Sequence, residues 1–494
     1  MSSLPHTLYS AQQTRVLDAM AIERGTPGIE LMERAGAAAF KLLKACWPNA
    51  QKIAVVCGGG NNGGDGFVVA RLAQQAGGSV TLFLLQNPKR LKGEAAEAFE
   101  KLKQASVTQV YGLPEGLEGF DLVVDALLGS GLTAAVRGEV VDAIERINQA
   151  ARPVLSLDLP SGLNADSGQV MGCGVKASAT ISFIGLKRGL LTGMGPGFSG
   201  ELYFSDLALP EALFSQLSGT VERVDYASLK HLIKPRPAYA HKGVCGHLLL
   251  VGGDQGMSGA IRLAGEAALR SGSGLVSIAT RKVHASLITA QRPELMSHGV
   301  ENEADLLPLF ARAGVIACGP GLGVDSWGRR MLAQVLVQPQ PLVLDADALN
   351  LLAKSPYRRD NWLLTPHPAE AARLLAISTA EVNTDRFAAV AALQQRYGGY
   401  VLLKGAGTLM CDPSGEIKLC SDGNPGMASG GMGDLLGGLL AALIAQGMTL
   451  AQALPLGVAI HAAAGDGAAG QTPRGLLASD LLPHLRQLVN PYNE

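Results

Sequence analysis

One pattern constrains this chain more than any other, and it occurs twice. Residues 52–77, "KIAVVCGGGNNGGDGFVVARLAQQAG", read as a short β-branched run, a Gly/Asn-rich turn and then apolar residues at helical spacing. Residues 246–280, "GHLLLVGGDQGMSGAIRLAGEAALRSGSGLVSIAT", repeat strand, glycine loop and Ala-rich helix and add a second strand. Units of this kind build a parallel sheet covered on both faces by helices. Further strand candidates follow the first unit at "SVTLFLL", "DLVVDALLG", "PVLSLDLPSG" and "ATISFIG", separated by helix-length segments such as "GEAAEAFEKLKQA". The second unit is followed by "GVIACGPGLG", "PLVLDADALN", "NWLLTPHPAE" and a predicted hairpin, "YVLLKGAGTLMCDPSGEIKLC", turning at Pro413, Ser414 and Gly415. Between the two series, residues 209–243 show no clear strand and end in a Pro-containing basic segment. That places a boundary near residue 220, giving two α/β domains, 1–220 and 221–494, as expected for a chain this long.

Composition narrows the partners. With 47% hydrophobic and 17% charged residues and a formal net charge of −1, the chain has large cores and no electrostatic footprint for nucleic acid or an anionic membrane. The first thirty residues lack a basic segment followed by an apolar one, and no apolar run approaches the roughly 18–20 residues that span a bilayer. The expectation is a soluble cytoplasmic protein. Seven cysteines without a Cys-x-x-Cys pair predict reduced, mostly buried thiols rather than disulfides or a zinc site. Apolar Ala/Gly-rich helices make a symmetric homo-oligomer the expectation.

The first glycine loop satisfies G-x-G-x-x-G at Gly58, Gly60 and Gly63, the dinucleotide fingerprint. An ordinary dehydrogenase would close the next strand with an acid, where this chain has Gln86 and Asn87. Its loop also carries Asn61, Asn62 and Asp65, where a simple pyrophosphate cradle would present bare backbone. Asp125 and Asp158 lie near the carboxyl ends of predicted strands, the edge where open α/β sheets bind ligands, and Ser161 follows in "DLPSG". An Asn, an Asp and a Ser converging there would suit an alkali or alkaline-earth cation better than zinc. The alternative is that these residues are loop caps and turn formers.

In the second domain, "GNPGMASGGMGDLLGG", residues 423–438, runs straight into an apolar helix pattern. Successive backbone N–H groups at a glycine-rich helix start form an anion hole, and the helix dipole adds to it. Asp434 at such a start can act as general base on a hydroxyl while the N–H groups stabilise a transferring phosphoryl group. The plainer alternative is an Asp that caps a helix.

"NPGMASGGMGD", with "LLKGAGT" and "TPHPAE", resembles the ribokinase-like carbohydrate kinases. With "GGGNNGGDG" and "DLPSG" ahead of it, nearly the whole chain resembles the bifunctional NAD(P)H-hydrate repair enzymes. The resemblance implies a Rossmann-like three-layer sandwich that interconverts the R and S epimers of hydrated NADH and NADPH (NADHX and NADPHX), and a ribokinase-like α/β domain that dehydrates the S epimer with ADP. It implies that Asn61, Asn62, Gly63, Gly64 and Asp65, together with Gly129, Ser130, Gly131, Leu132, Thr133, Ala134 and Ala135, bind the hydrated nucleotide in the epimerase. Asp158 would contact the altered nicotinamide there and serve as acid/base, and Asn62, Asp125 and Ser161 would hold a potassium ion. In the dehydratase Ala260, Gly323 and His367 would line the hydrate site. Lys404, Gly405, Ala406, Gly407, Thr408 and Gly433 would bind the adenine nucleotide, and Asp434 would face the hydroxyl. Magnesium would accompany ADP, with no ligand cluster identifiable for it. Ser429 stands where the resemblance implies Thr and keeps a hydroxyl. Two other readings stay open: a kinase for a small alcohol, against which the N-terminal domain counts, and a non-catalytic nucleotide sensor or scaffold, against which the intact Asp158, His367, Gly433 and Asp434 count.

Overall fold

The computed structural model describes residues 4–491. The chain forms two compact units, the first ending at Glu222 and the second beginning at Arg223.

The sheet of the first unit has seven strands, in spatial order Thr108–Tyr111, Ser79–Leu84, Lys52–Cys57, Leu122–Ala126, Val154–Leu157, Ala179–Phe183 and Glu201–Ser205, all parallel. The chain starts at the central strand Lys52–Cys57, runs out one side and returns to the other. The connections leaving the carboxyl ends of Lys52–Cys57 and Leu122–Ala126 therefore part in opposite directions and open a crevice. Register sets what meets there: Val56 pairs with Asp125, and Asp125 with Ser156. Helices Gly28–Cys46, Asn61–Gln75 and Gly93–Lys103 bury one face of the sheet under a core that includes Leu31, Phe67 and Phe99. Ala143, Ile144 and Ile147 of helix Glu139–Gln149 belong to the core of the other face.

Among the described residues, nine strands of the second unit lie side by side in one sheet. Met296–Gly299, Leu275–Thr280, His247–Val251, Val315–Cys318, Leu342–Leu344, Trp362–Leu364 and Tyr400–Leu403 are parallel, and Thr408–Cys411 and Ile417–Cys420 continue it antiparallel. The stretch expected as one hairpin is thus a three-stranded meander. Asp412 caps the second turn, accepting from Ser414 and Glu416, while "KGAGT" is itself the first turn. Helix Met432–Ala445 is apolar nearly all round, which is why it runs through the core. It packs on helix Ser258–Arg270 so closely that a Cβ at Gly438 would strike the Ala264 carbonyl.

Residues 209–243, expected to lack a strand, contain Val221–Val224, whose Val221 and Glu222 pair antiparallel with Leu8 and Thr7. The reason is tertiary: four residues carry too little pattern to stand out, and their partner lies at the other end of the unit. Of the seven cysteines, all free, five are buried. No helix of the described residues is long and apolar enough to cross a membrane.

Candidate active sites

The crevice of the first unit holds a cavity of about 940 Å³ lined by Asn61, Asn62, Asp65, the loop 127–137, Asp158 and Lys187. Tight backbone contacts shape it. A Cβ at Gly58 would collide with the Leu127 carbonyl, and one at Gly63 with the Gly58 carbonyl, so close approach is what demands glycine here. Gly60 caps helix Asn61–Gln75 without a side chain, which aims first-turn N–H groups at the cavity. Gly63 and Gly64 lie inside that turn and are buried. Gly129, Ser130, Gly131, Leu132, Thr133, Ala134 and Ala135 form the facing wall.

Asp158 follows strand Val154–Leu157 with φ +64°, a left-handed conformation that costs a non-glycine residue energy and is held by its N–H bond to the Ile181 carbonyl. Its carboxylate accepts from the Ser130 N–H at 3.1 Å and pairs with the Lys187 ammonium, which also donates to the Phe183 carbonyl at 2.8 Å. Burial, reinforced by the Asp158 charge and opposed by Lys187, pushes the Asp65 carboxyl well above the usual carboxylate range. Asp18, on the same wall, is raised by burial and by Glu94.

Behind the loop, Asp125 is fully buried and accepts from the Ser161 N–H at 2.9 Å, the Ser161 hydroxyl, and the Ser156 hydroxyl at 2.8 Å. Burial raises its carboxyl despite these bonds. The Leu128 carbonyl accepts from Asn62 Nδ2 at 3.0 Å and from Ser161 Oγ at 3.2 Å, which brings Asn62, Asp125 and Ser161 into one network. Asn62 Oδ1 is buried without a hydrogen-bond partner. An orphaned oxygen in the same network as a buried carboxylate fits an oxygen-liganded cation. Among the described residues no group of three or more His, Cys, Asp or Glu could hold a metal ion.

In the second unit Asp434 is the third residue of helix Met432–Ala445, whose cap is Gly431 at φ +90°. It is therefore not the capping residue, and the simpler alternative for this acid falls away. Burial, then the Asp345 charge, raise its carboxyl to about 6, with Lys404 opposing. The Lys404 ammonium lies 2.7 Å from Asp345 and 3.9 Å from Glu370. A Cβ at Gly433 would sit 3.2 Å from the same nitrogen. Burial lowers the Lys404 ammonium, but these carboxylates outweigh it and hold it above its ordinary value.

His367 caps helix Pro368–Leu375. Its Nδ1 accepts the N–H groups of Ala369 and Glu370 at 3.1 and 3.3 Å, so the ring proton lies on Nε2, 3.3 Å from Glu370 Oε1. Burial and the nearby Lys404 and Arg373 charges depress its pKa and keep it neutral at pH 7. The Gly323 N–H donates to Asp347 at 2.9 Å, and Ala260, in the first turn of helix Ser258–Arg270, faces Gly321 of the same loop. The buried Arg386 fastens the turn 404–408 by donating to the carbonyls of Leu403, Lys404 and Gly407. Thr408 closes the turn through its hydroxyl bond to Gly405.

Lys187, Asp345, Asp347, Glu370 and Arg386 went unnoticed in the sequence. For Asp345 a signal existed, an acid at the carboxyl end of a strand, the feature that singled out Asp125 and Asp158. Lys187 and Arg386 gave none, because a lone cation in a loop or helix is ordinary.

A family model described as NAD(P)H-hydrate dehydratase matches residues 248–487, and one described as YjeF-related protein N-terminus matches residues 28–189. Over 98% of the chain and 99% of the relative, the sequence is 50% identical to the bifunctional NAD(P)H-hydrate repair enzyme of Coxiella burnetii. The chain belongs to the bifunctional NAD(P)H-hydrate repair enzymes. The Escherichia coli member is 43% identical over 99% of the chain and 95% of its own length. Among solved structures, 55% of the chain superposes on 95% of a ribokinase-like superfamily protein from Enterococcus faecalis, at TM-score 0.51 and 29% identity. The ADP/ATP-dependent NAD(P)H-hydrate dehydratase of Bacillus subtilis, co-crystallized with ATP and magnesium, gives TM-score 0.50 at 27% identity, over 56% of this chain and all of that one. Membership makes this chain a bifunctional enzyme, isomerase and lyase, whose second unit has the ribokinase-like fold.

Proposed function

We propose that the first unit interconverts the R and S epimers of NADHX and NADPHX, and that the second dehydrates the S epimer with ADP to NAD(P)H, AMP and phosphate. The observation that carries this reading is Asp434: a glycine-capped helix start bearing a carboxylate with a pKa of about 6, beside a partly buried lysine. Hydration leaves a hydroxyl on the ring carbon next to nitrogen, and hydroxide leaves poorly. Asp434 takes the hydroxyl proton as the oxygen attacks the terminal phosphoryl of ADP, and AMP departs. First-turn N–H groups, Gly433 among them, stabilise the charge in flight. The ring nitrogen then expels phosphate, and loss of a proton from the adjacent carbon restores the double bond. Ala260, Gly323 and His367 line the hydrate side, and Lys404, Gly405, Ala406, Gly407 and Thr408 the nucleotide side. Magnesium bound with ADP would neutralise phosphate charge.

In the epimerase the nucleotide lies between Asn61–Asp65 and the loop 129–135, with the nicotinamide at Asp158. That carboxylate, held by Ser130 and Lys187, assists reversible loss and return of the ring hydroxyl. Potassium held by Asn62, Asp125 and Ser161 would supply a fixed positive charge behind the phosphate-facing loop. The enzyme works in the cytoplasm as a homo-oligomer, with no nucleic-acid or membrane partner. Chromatography of a mixed R and S NADHX pool tests the reading: without ADP the epimers equilibrate, and with ADP and magnesium the whole pool becomes NADH. If neither pool changes, repair is the wrong activity and the small-alcohol kinase becomes the account to pursue.

A further inference from the structure

Four carboxylates crowd the Asp434 site against one ammonium. Asp345 and Asp347 come from the segment following strand Leu342–Leu344, Glu370 from helix Pro368–Leu375, and Lys404 from the end of strand Tyr400–Leu403. Asp345 is 3% exposed, and its two oxygens have separate neighbours. One bonds Lys404 at 2.7 Å, and the other would lie 3.4 Å from a Cβ at Gly433. The intervening Ala346 sits at φ +49°, so this segment is held in a conformation it would not adopt freely.

We propose that Asp345 is a positioning residue of the dehydratase, which clamps the Lys404 ammonium beside Gly433, one residue from Asp434. The inference rests on the dehydratase reading. The remaining charges around Asp434 are accounted for. His367 is bonded to its own helix through Nδ1, and burial and the Lys404 charge favour its neutral form. Burial depresses His461, on helix Leu450–Ala469, to about 4, and it carries no charge at neutral pH. Cys318, on strand Val315–Cys318, is a fully buried thiol whose pKa burial drives far upward. Helix Ser258–Arg270, packed along the Asp434 helix, commits Glu266 to Arg262 and Arg292. That leaves Asp345 as the strongest charge raising Asp434, Asp347 adding to it more weakly, and Lys404 as the cation opposing both.

The two partners should therefore shift the base in opposite directions. In Asp345→Asn the acid limb of the dehydratase kcat/KM profile moves to lower pH by about half a unit or more. In Lys404→Met it moves upward by a comparable amount. Asp345→Glu, which keeps the charge, leaves the limb closer to wild type than Asp345→Asn does. Should Asp345→Asn fail to fold, Asp345→Ser, which also removes the charge, carries the same test and must move the limb to lower pH. A structural role alone would lower the profile at every pH without moving its limb, and that result in correctly folded variants overturns the proposal. Wild type in the same assay separates the two failures: no ADP-dependent dehydration defeats the dehydratase reading, whereas dehydration with immobile limbs defeats only the role of Asp345.

Discussion

Asp158 and Lys187 form an ion pair at the carboxyl edge of the first sheet, with the lysine side chain 1% and the aspartate 14% exposed. An ammonium taken out of water to this degree is retained because a carboxylate must be held in one orientation. In Lys187→Met, epimer interconversion falls at least about a hundredfold, while ADP-dependent dehydration of the S epimer stays within about twofold of wild type. Breaking a buried pair costs about 3 kcal/mol, so the first unit melts roughly 5–10 °C lower. Unchanged epimerisation would remove Lys187 from the site.

Asp434 carries a pH signature of its own. Its folded pKa of about 6 lies above the ordinary carboxylate value, so the protonated form is favoured by folding. The resulting destabilisation is absent below about pH 4, grows as pH rises to about 6 and is complete above it. As a base the residue must be ionised, so dehydratase kcat/KM falls tenfold per pH unit below about pH 6. Asp434→Asn should abolish dehydration yet stabilise the second unit at pH 8 by as much as about 3 kcal/mol, read as a rise in its thermal midpoint. A lower midpoint would contradict the raised pKa.

Much of the organisation was legible beforehand, for reasons the residues make plain. Asn62, Asp125 and Ser161 could be grouped because each sits at a strand end or glycine turn, and parallel α/β sheets gather those ends at one edge. The 3.1 Å bond from the Ser130 N–H to Asp158 brings the loop 129–135 and the segment "DLPSG" together in the same way. What stayed hidden depends on tertiary partners. Lys187 shows its role only when the short strand Leu186–Lys187 sets it beside Asp158, and Arg386 reads as a helix surface residue until its guanidinium is seen among three carbonyls. The short strand Val221–Val224 likewise exists because Thr7 and Leu8 arrive to pair with it.

Potassium should leave a thermodynamic trace whether or not substrate is present. Replacing it with choline at equal ionic strength lowers the thermal midpoint of the first unit, since an ion bound only to the folded state stabilises by mass action. Asn62→Leu, which fills the space of the orphaned Oδ1, removes that dependence. Equal midpoints in both salts for wild type would refute the cation site.

The Arg386 clamp predicts a defect confined to nucleotide binding. Lysine cannot reach the carbonyls of Leu403, Lys404 and Gly407 at once, so Arg386→Lys loosens the turn 404–408. The KM for ADP rises by about tenfold, equivalent to about 1.4 kcal/mol, and epimerase activity is untouched. An unchanged KM would show that the turn does not hold the nucleotide.

The most direct test of two independent chemistries on one chain is the fate of each NADHX epimer with Asp158→Asn and Asp434→Asn measured side by side. Asp158→Asn should consume the S epimer with ADP and leave R behind, and Asp434→Asn should equilibrate the two and form no NADH. If Asp158→Asn consumes both epimers at the wild-type rate, or Asp434→Asn still yields NADH, the division of labour proposed here is wrong.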